Sequence, residues 1–478
     1  MKLIFGDGLI VSARDALEII WRKGTWRIGV RAKRTALLIA VFSLGVHVEA
    51  RSFYQSPSQS KPVSKAQTPV NEPVDSRSGA EKTGGTAGDS TATVADTKPS
   101  QVEVASSSML DDCAAQSPVS STPQSPPEHK WHYGGFVDVG YLLDFNHPQN
   151  RVFRSRGTTW HVDRPQINMA AFYVRKKATE DSRWGVELTA QGGKDAELFG
   201  FSATAPNIGG FKFLRQLGPT NVSYLAPVGK GLMIQGGIFS SFIGYDSLYA
   251  KDNFNYTRPW GADFTPYLMM GVNVSYPFTK RVTVTFFVVN GYWHLAHANN
   301  VPSWGGQAAI SATSHLTVKQ TVLVGPHQTN TAFKFWRFLS DTIVEHKTEK
   351  RTIASDTIFS TEQVDAPGTP RAWFFSTQLP MRWQLRPRWA IAFRPEVAWD
   401  SQGRWTLARQ TVVAFTSTLE YKLPYKSSTT IFRLEHRYDR STGPDGGFFR
   451  GRAVSPGVIG LVPSQHLLVF ATIFTFDR

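Results

Sequence analysis

Cysteine is nearly absent from this chain of 478 residues: Cys113 stands alone. That excludes an internal disulfide framework and any cysteine-rich metal site. Charged residues are scarce, at 19%. After residue 50 no apolar run approaches the roughly 18 residues that a membrane-spanning helix needs. No Gly-x-Ser-x-Gly elbow, phosphate-binding loop or His-Glu-x-x-His occurs, so the signatures of common hydrolases, nucleotide binders and zinc proteases are missing. Nucleic-acid motifs are missing too, and the basic residues are spread along the chain instead of gathered in one stripe. His294 and His297 have no cysteine or carboxylate beside them and read as loop residues, not metal ligands. No cofactor, metal site or catalytic residue is expected.

What the chain has is aromatic weight and glycine, with 13% aromatics, 14 Trp and 39 Gly. Its hydrophobicity lies in alternation. In Trp389-Ala-Ile-Ala-Phe-Arg-Pro-Glu-Val-Ala-Trp399 the odd positions are apolar or Pro, while the even ones carry Ala390, Ala392, Arg394, Glu396 and Ala398. Period two marks a strand, and an apolar face with a Trp at each end suits a strand facing lipid. One such strand would equally suit a soluble sheet; its repetition along the chain separates the two. Alternation recurs from Trp131 to Phe145, at Trp184–Ala190, Leu268–Tyr276, Val282–Val288, Trp373–Trp383 and Phe432–Tyr438. Stretches 337–345 and 351–360 alternate poorly.

The connections carry the topology. Seven short turns lie at Lys176–Arg183, Pro227–Gly231, Pro277–Arg281, Thr313–His315, His346–Lys350, Leu385–Arg388 and Lys422–Ser428. Eight longer segments alternate with them: Asn146–Pro165, Gly193–Thr220, Ser240–Thr265, Tyr292–Gly305, Pro326–Phe335, Gln363–Arg371, Ser401–Ala408 and Arg440–Pro463. This predicts an all-β, transmembrane, antiparallel up-and-down β-barrel of about 16 strands, with both termini at the short-turn end. A β-sandwich has no reason to alternate loop lengths so regularly. The closing segment Leu468–Phe476 places Leu468, Phe470, Thr472, Phe474 and Phe476 on one face. It is similar to the C-terminal strand by which outer-membrane barrels engage their insertion machinery.

Residues 1–50 read as a leader with a signal peptide: Arg31-Ala-Lys-Arg34 precedes a short apolar core, and Val48-Glu49-Ala50 offers a cleavage site. Residues 51–128, rich in Ser, Thr, Pro and Ala, cannot bury enough apolar surface to offset chain entropy and read as a disordered periplasmic tether. The barrel is expected over 129–478. That region holds 38 basic and 24 acidic residues, a surplus of +14, which suits an anion-attracting lumen or contact with acidic lipopolysaccharide better than nucleic acid.

Gly236-Gly-Ile-Phe-Ser-Ser-Phe-Ile-Gly-Tyr-Asp246, Asn253-Phe-Asn-Tyr-Thr-Arg258, Phe393-Arg-Pro-Glu-Val-Ala-Trp-Asp400 and Phe432-Arg-Leu-Glu-His-Arg-Tyr-Asp-Arg-Ser441 with Phe448-Phe449 together resemble the β-barrel porin-2 family of OmpL-like outer-membrane barrels. The resemblance covers roughly residues 130–478. It departs at Asp246, where Glu is expected. It implies a pore-like barrel of undefined substrate.

Two groups of residues are candidates for the pore. If aromatics face lipid, Arg394, Glu396, Glu420, Arg433, Glu435, Arg437 and Asp439 fall on the lumen faces of three consecutive strands. They form either a charged constriction, whose transverse field sorts ions, or an ion network bracing the wall. His436 then falls on the lipid side. The third long segment carries Tyr245, Asp246, Asp252, Asn253, Tyr256 and Arg258, and it either folds inward to narrow the channel or packs on the rim. The expected function is an outer-membrane, porin-like channel of a Gram-negative bacterium, for passive diffusion of small hydrophilic solutes with a leaning to anions. A non-conducting structural or adhesive barrel is the alternative. A barrel-borne hydrolase using Ser240, His315 or His436 stands further off.

Overall fold

The computed structural model describes two short segments near the start and, with small gaps, residues 131–198 and 211–478. The leader's apolar core, the tether with Cys113, and His297 lie outside the described residues. Near the start, Lys2–Phe5 pairs antiparallel with Leu9–Ser12 as a hairpin.

Period-two patterning becomes sixteen strands: β1 (His132–Asp144), β2 (Pro165–Lys176), β3 (Trp184–Gly192), β4 (Thr220–Ala226), β5 (Leu232–Ser240), β6 (Leu268–Pro277), β7 (Val282–Val289), β8 (Ser303–Ser311), β9 (Leu316–Pro326), β10 (Trp336–Lys347), β11 (Arg351–Glu362), β12 (Ala372–Gln378 continued by Met381–Arg386), β13 (Trp389–Asp400), β14 (Gln410–Tyr425), β15 (Ser428–Thr442) and β16 (Ser464–Asp477). Each pairs antiparallel with the next, and β16 pairs with β1, Phe470 opposite Tyr141, which closes the barrel and leaves no sheet edge. Strand β12 comes in two halves because Pro380 has no N–H to give the ladder. Its carbonyl still accepts Ala354 N–H at 2.9 Å, and both halves pair with β11 and β13. Tyr133 and Arg478 exchange backbone hydrogen bonds at 2.9 Å each, so the barrel's two ends meet at the short-turn end, as expected.

Facing follows the alternation. On β13, Ala390, Ala392, Arg394, Glu396, Ala398 and Asp400 point inward and are buried, while Trp389 and Trp399 are exposed at the two ends of the outer face. On β1, Val137 and Val139 are exposed outside, and Phe136, Asp138 and Leu142 are buried inside. A ring apolar outside and polar inside is the arrangement lipid imposes on a barrel with a hydrated interior. The weakly patterned stretches 337–345 and 351–360 are β10 and β11.

Candidate pore constriction

The third long connection, residues 241–267, leaves the top of β5 and turns into the barrel. Gly244, at φ +84°, takes the left-handed conformation that only glycine adopts without strain. The loop is too apolar to lie in water: Ile243, Leu248, Ala250, Tyr256, Trp260 and Phe264 are all buried. Phe242 stacks on Phe287 of β7 at 5.2 Å. On β1, Gly140 makes the room, since a Cβ there would collide with the Tyr256 hydroxyl.

Irregular backbone taken out of water leaves peptide groups that must find partners. The charged wall supplies them by sign. Glu435 accepts the N–H groups of Tyr256 and Thr257 at 2.5 and 2.9 Å, and the Thr257 hydroxyl at 2.5 Å. Glu396 accepts Trp260 N–H at 2.5 Å, while Asp439 accepts the indole N–H of Trp260 at 2.8 Å. Conversely, Arg433 donates to the carbonyls of Ala250 and Asn253 at 2.6 Å each, Arg394 to Thr257 at 2.7 Å, and Arg437 to Arg258 at 2.9 Å. The wall charges also pair among themselves: Arg437 with Asp439 at 2.8 Å and Glu396 at 3.0 Å, and Arg433 with Glu420 at 2.7 Å. All seven wall candidates are buried.

The loop candidates join the same layer. Tyr256 donates its hydroxyl to Asp138 at 2.7 Å and accepts from Asn168 at 2.6 Å. The Tyr245 hydroxyl reaches Glu345 at 2.5 Å. Asp246 accepts from Gln378 at 2.7 Å and lies 4.0 Å from Arg394. Burial raises the Asp246 carboxyl above its ordinary range, against the pull of Arg394. Arg258 donates to the Leu248 carbonyl and sits 3.5 Å from Asp195 in the short helix α1 (Lys194–Leu198) of the second long loop. Asn253 closes a turn with Ser247, and Asp252 pairs locally with Lys251 at 2.6 Å. The possible triad residues do not converge: Ser240 ends β5, His315 lies in a short turn at the opposite end, and His436 faces outward, 3.2 Å from His466.

Among the positions that went unnoticed in the sequence, Asp341 on β10 and Asp356 on β11 accept the loop N–H groups of Gly244 and Tyr245 at 2.8 and 3.1 Å. Arg382 on β12 and Lys422 on β14 flank Glu420 at 3.1 and 3.7 Å. Arg382 reaches across β13 because Ala392, its register partner, and Ala390, the partner of Glu420, are small. Asp195, which accepts Thr159 N–H at 2.7 Å, is another. Parity with Trp383 would have exposed Arg382; nothing local marks Asp195. The opposite wall is uncharged: Gln235 donates to Asn221 at 2.8 Å and accepts from Asn273 at 2.9 Å, Ser275 pairs with Thr285 at 2.7 Å, and Gln307 donates to Thr321 at 2.9 Å.

A closed sixteen-stranded barrel, apolar outside and lined by polar groups around an inward loop, defines the class: a porin-like outer-membrane channel. Residues 130–476 match the family described as "Putative beta-barrel porin-2, OmpL-like", and the chain belongs to that family. Among solved structures it is similar to the outer membrane channel DcaP of Acinetobacter baumannii, at 11% identity over 73% of this chain and 96% of that one, with a TM-score of 0.45. It is also similar to an anion-selective porin from Comamonas acidovorans, at 9% identity over 73% and 99% with a TM-score of 0.45. OmpT of Vibrio cholerae follows at 10% identity over 73% and 97%, with a TM-score of 0.42. No curated protein matches the chain.

Proposed function

We propose that the barrel passes small hydrophilic solutes passively across the outer membrane of a Gram-negative bacterium and favours anions. The inward loop narrows the path, and the seven wall charges with Tyr245, Asp246, Asp252, Asn253, Tyr256 and Arg258 set its width. The observation that carries the anion preference is the surplus around Glu420. One carboxylate faces Arg433, Arg382 and Lys422 at 2.7, 3.1 and 3.7 Å. Arg433 is spent on the loop's carbonyls, but the side chains of Arg382 and Lys422 keep 12% and 27% exposure. Two cations beside an aqueous path raise the local anion concentration. The test is a planar bilayer under a potassium chloride gradient. The wild type should show a reversal potential of anionic sign, and R382E/K422E should move it toward the cationic side. An unmoved potential would reject these two residues as the selectivity element.

The supporting parts of the reading are a cleaved signal peptide in 1–50, a periplasmic tether over 51–128, barrel insertion through the strand ending at Phe476, and lipopolysaccharide contact with the long-loop rim. One observation favours a second reading, a plugged structural barrel. Phe153, Trp260, Phe264, Phe374, Trp405 and Phe448 pack together within one buried cluster. A barrel closed there would carry no current in the same bilayer.

A further inference from the structure

The outer face of the barrel is not uniformly apolar. Across β9–β12 a polar stripe interrupts it: Gln320, then Ser340 and Thr342, then Ser355 and Thr357, then Thr377. These are outward positions, because their neighbours in the opposite parity, such as Thr321, Asp341, Asp356 and Gln378, are the buried inward ones. Each strand is apolar again beyond the stripe, as at Val318 and Val322, Phe338 and Val344, Ile353 and Phe359, and Phe375 and Leu379. The stripe therefore lies inside the apolar band, not at its rim. On β6–β8 the outward residues are Val272, Val274, Val284, Phe286, Ala308 and Ile310. The stripe is also why β10 and β11 alternate so weakly in the sequence.

Within the stripe Gln320 donates to Ser340 at 2.9 Å and accepts from Thr342 at 2.6 Å, and Thr357 meets Thr377 at 3.0 Å. Hydrocarbon offers such groups nothing, and lipid-facing barrel positions are ordinarily apolar. A protein surface does offer something. Small Ser and Thr side chains let two backbones approach closely and hydrogen-bond across the contact. The patch carries no charge, and its hydroxyls both donate and accept, so it complements itself. A two-fold axis along the membrane normal keeps two barrels parallel in one bilayer and sets the same patch against itself. Four strands at about 4.8 Å spacing give a face about 19 Å wide. Over an apolar band about 25 Å tall that is about 475 Å² per copy, or about 950 Å² for the pair, at the lower edge of what a specific interface buries.

We infer that β9–β12 is the interface with a second copy of this chain, forming a two-fold dimer in the membrane with Thr342 and Thr357, register partners across β10 and β11, nearest the axis. Because C113S removes the chain's single thiol, T342C can be placed in that background at full length in its native membrane and treated with a bismaleimide. The expected product has twice the chain's mass, and V272C, on the outer face of β6, gives none. Equal yields from T342C and V272C, or a product whose mass is not double, overturn the proposal; the second result would mean a different membrane protein sits there. Native mass spectrometry of the purified wild type gives an independent reading, a dimer expected and a monomer overturning. Q320L/T342V/T357V should weaken the dimer at least tenfold. A lipid-facing stripe would leave the oligomeric state of that variant unchanged.

Discussion

Two stretches of the inner wall, three strands and five of the sixteen, solve the same problem differently. On β13–β15 the inward side chains are Arg394, Glu396, Glu420, Arg433, Glu435, Arg437 and Asp439, and a loop lies on them. On β4–β8 they are Asn221, Gln235, Asn273, Ser275, Thr285 and Gln307, which bond chiefly to one another and to their strand neighbours. A carboxamide has donor and acceptor together and can satisfy its neighbour in a ladder. A carboxylate only accepts and a guanidinium only donates, so each is left seeking the opposite kind of group. A loop backbone offers both kinds in alternation. The charged stretch thus holds the segment through many bonds of both kinds, while the neutral stretch touches it at the Phe242 carbonyl, which accepts from Gln307 at 2.8 Å.

The largest expected effect comes from unfastening the loop at Glu435, which takes three bonds from Tyr256 and Thr257 and a fourth from the Thr418 hydroxyl at 2.6 Å. Glu435→Ala leaves two buried N–H groups without an acceptor, each at a cost of about 1–3 kcal/mol. Amide exchange at Tyr256 and Thr257 should accelerate by orders of magnitude, while the barrel strands stay protected. Glu435→Gln, which keeps one carbonyl acceptor, should lose less. Exchange unchanged in both variants would mean that the loop is held by its apolar side chains alone. Removing residues 247–259 is the complementary experiment: single-channel conductance should rise if the loop narrows the path, and a flat result would leave it as wall packing.

Most of the fold could be read from the chain because lipid makes inside and outside differ at every second residue. The loop-length alternation, the two barrel ends meeting at Tyr133 and Arg478, and the inward placement of all seven wall charges follow from that one rule. β10 and β11 were weak where the rule itself lapses, at outward Ser340, Thr342, Ser355 and Thr357. The pairing of wall to loop was not legible. Glu435 and Tyr256 are 179 residues apart, and which peptide N–H meets which carboxylate depends on a path that no local period encodes. Arg382 was missed although its parity was available. Asp195 could be recognised only once the second and third loops were placed together.

Asp195 tests how the inward loop is fastened from the second loop. Burial pushes its carboxyl up from 3.8 to about 7, ahead of the opposing pull of Arg258. A carboxyl whose pKa rises on folding contributes stability that is complete below about pH 4 and is lost as pH climbs through about 7. Amide protection at Thr159, whose N–H Asp195 accepts, should therefore fall between pH 5 and pH 8. Asp195→Asn should flatten that profile. A wild-type profile already flat would show that the carboxylate stays ionised beside Arg258 throughout.

The smallest effect should appear on the neutral stretch, and it sharpens the contrast most directly. Asn273→Leu removes the donor to the Gln235 carbonyl at 2.9 Å. Gln235 is only half-buried, so water can take the vacated site. Asn273 itself is buried, so the larger apolar side chain must also be packed. The change in stability should stay at about 1–3 kcal/mol, the cost of a larger side chain at a packed position, and exchange at Tyr256 and Thr257 should not respond. A loosened loop in Asn273→Leu would show that the two stretches are mechanically coupled through the barrel.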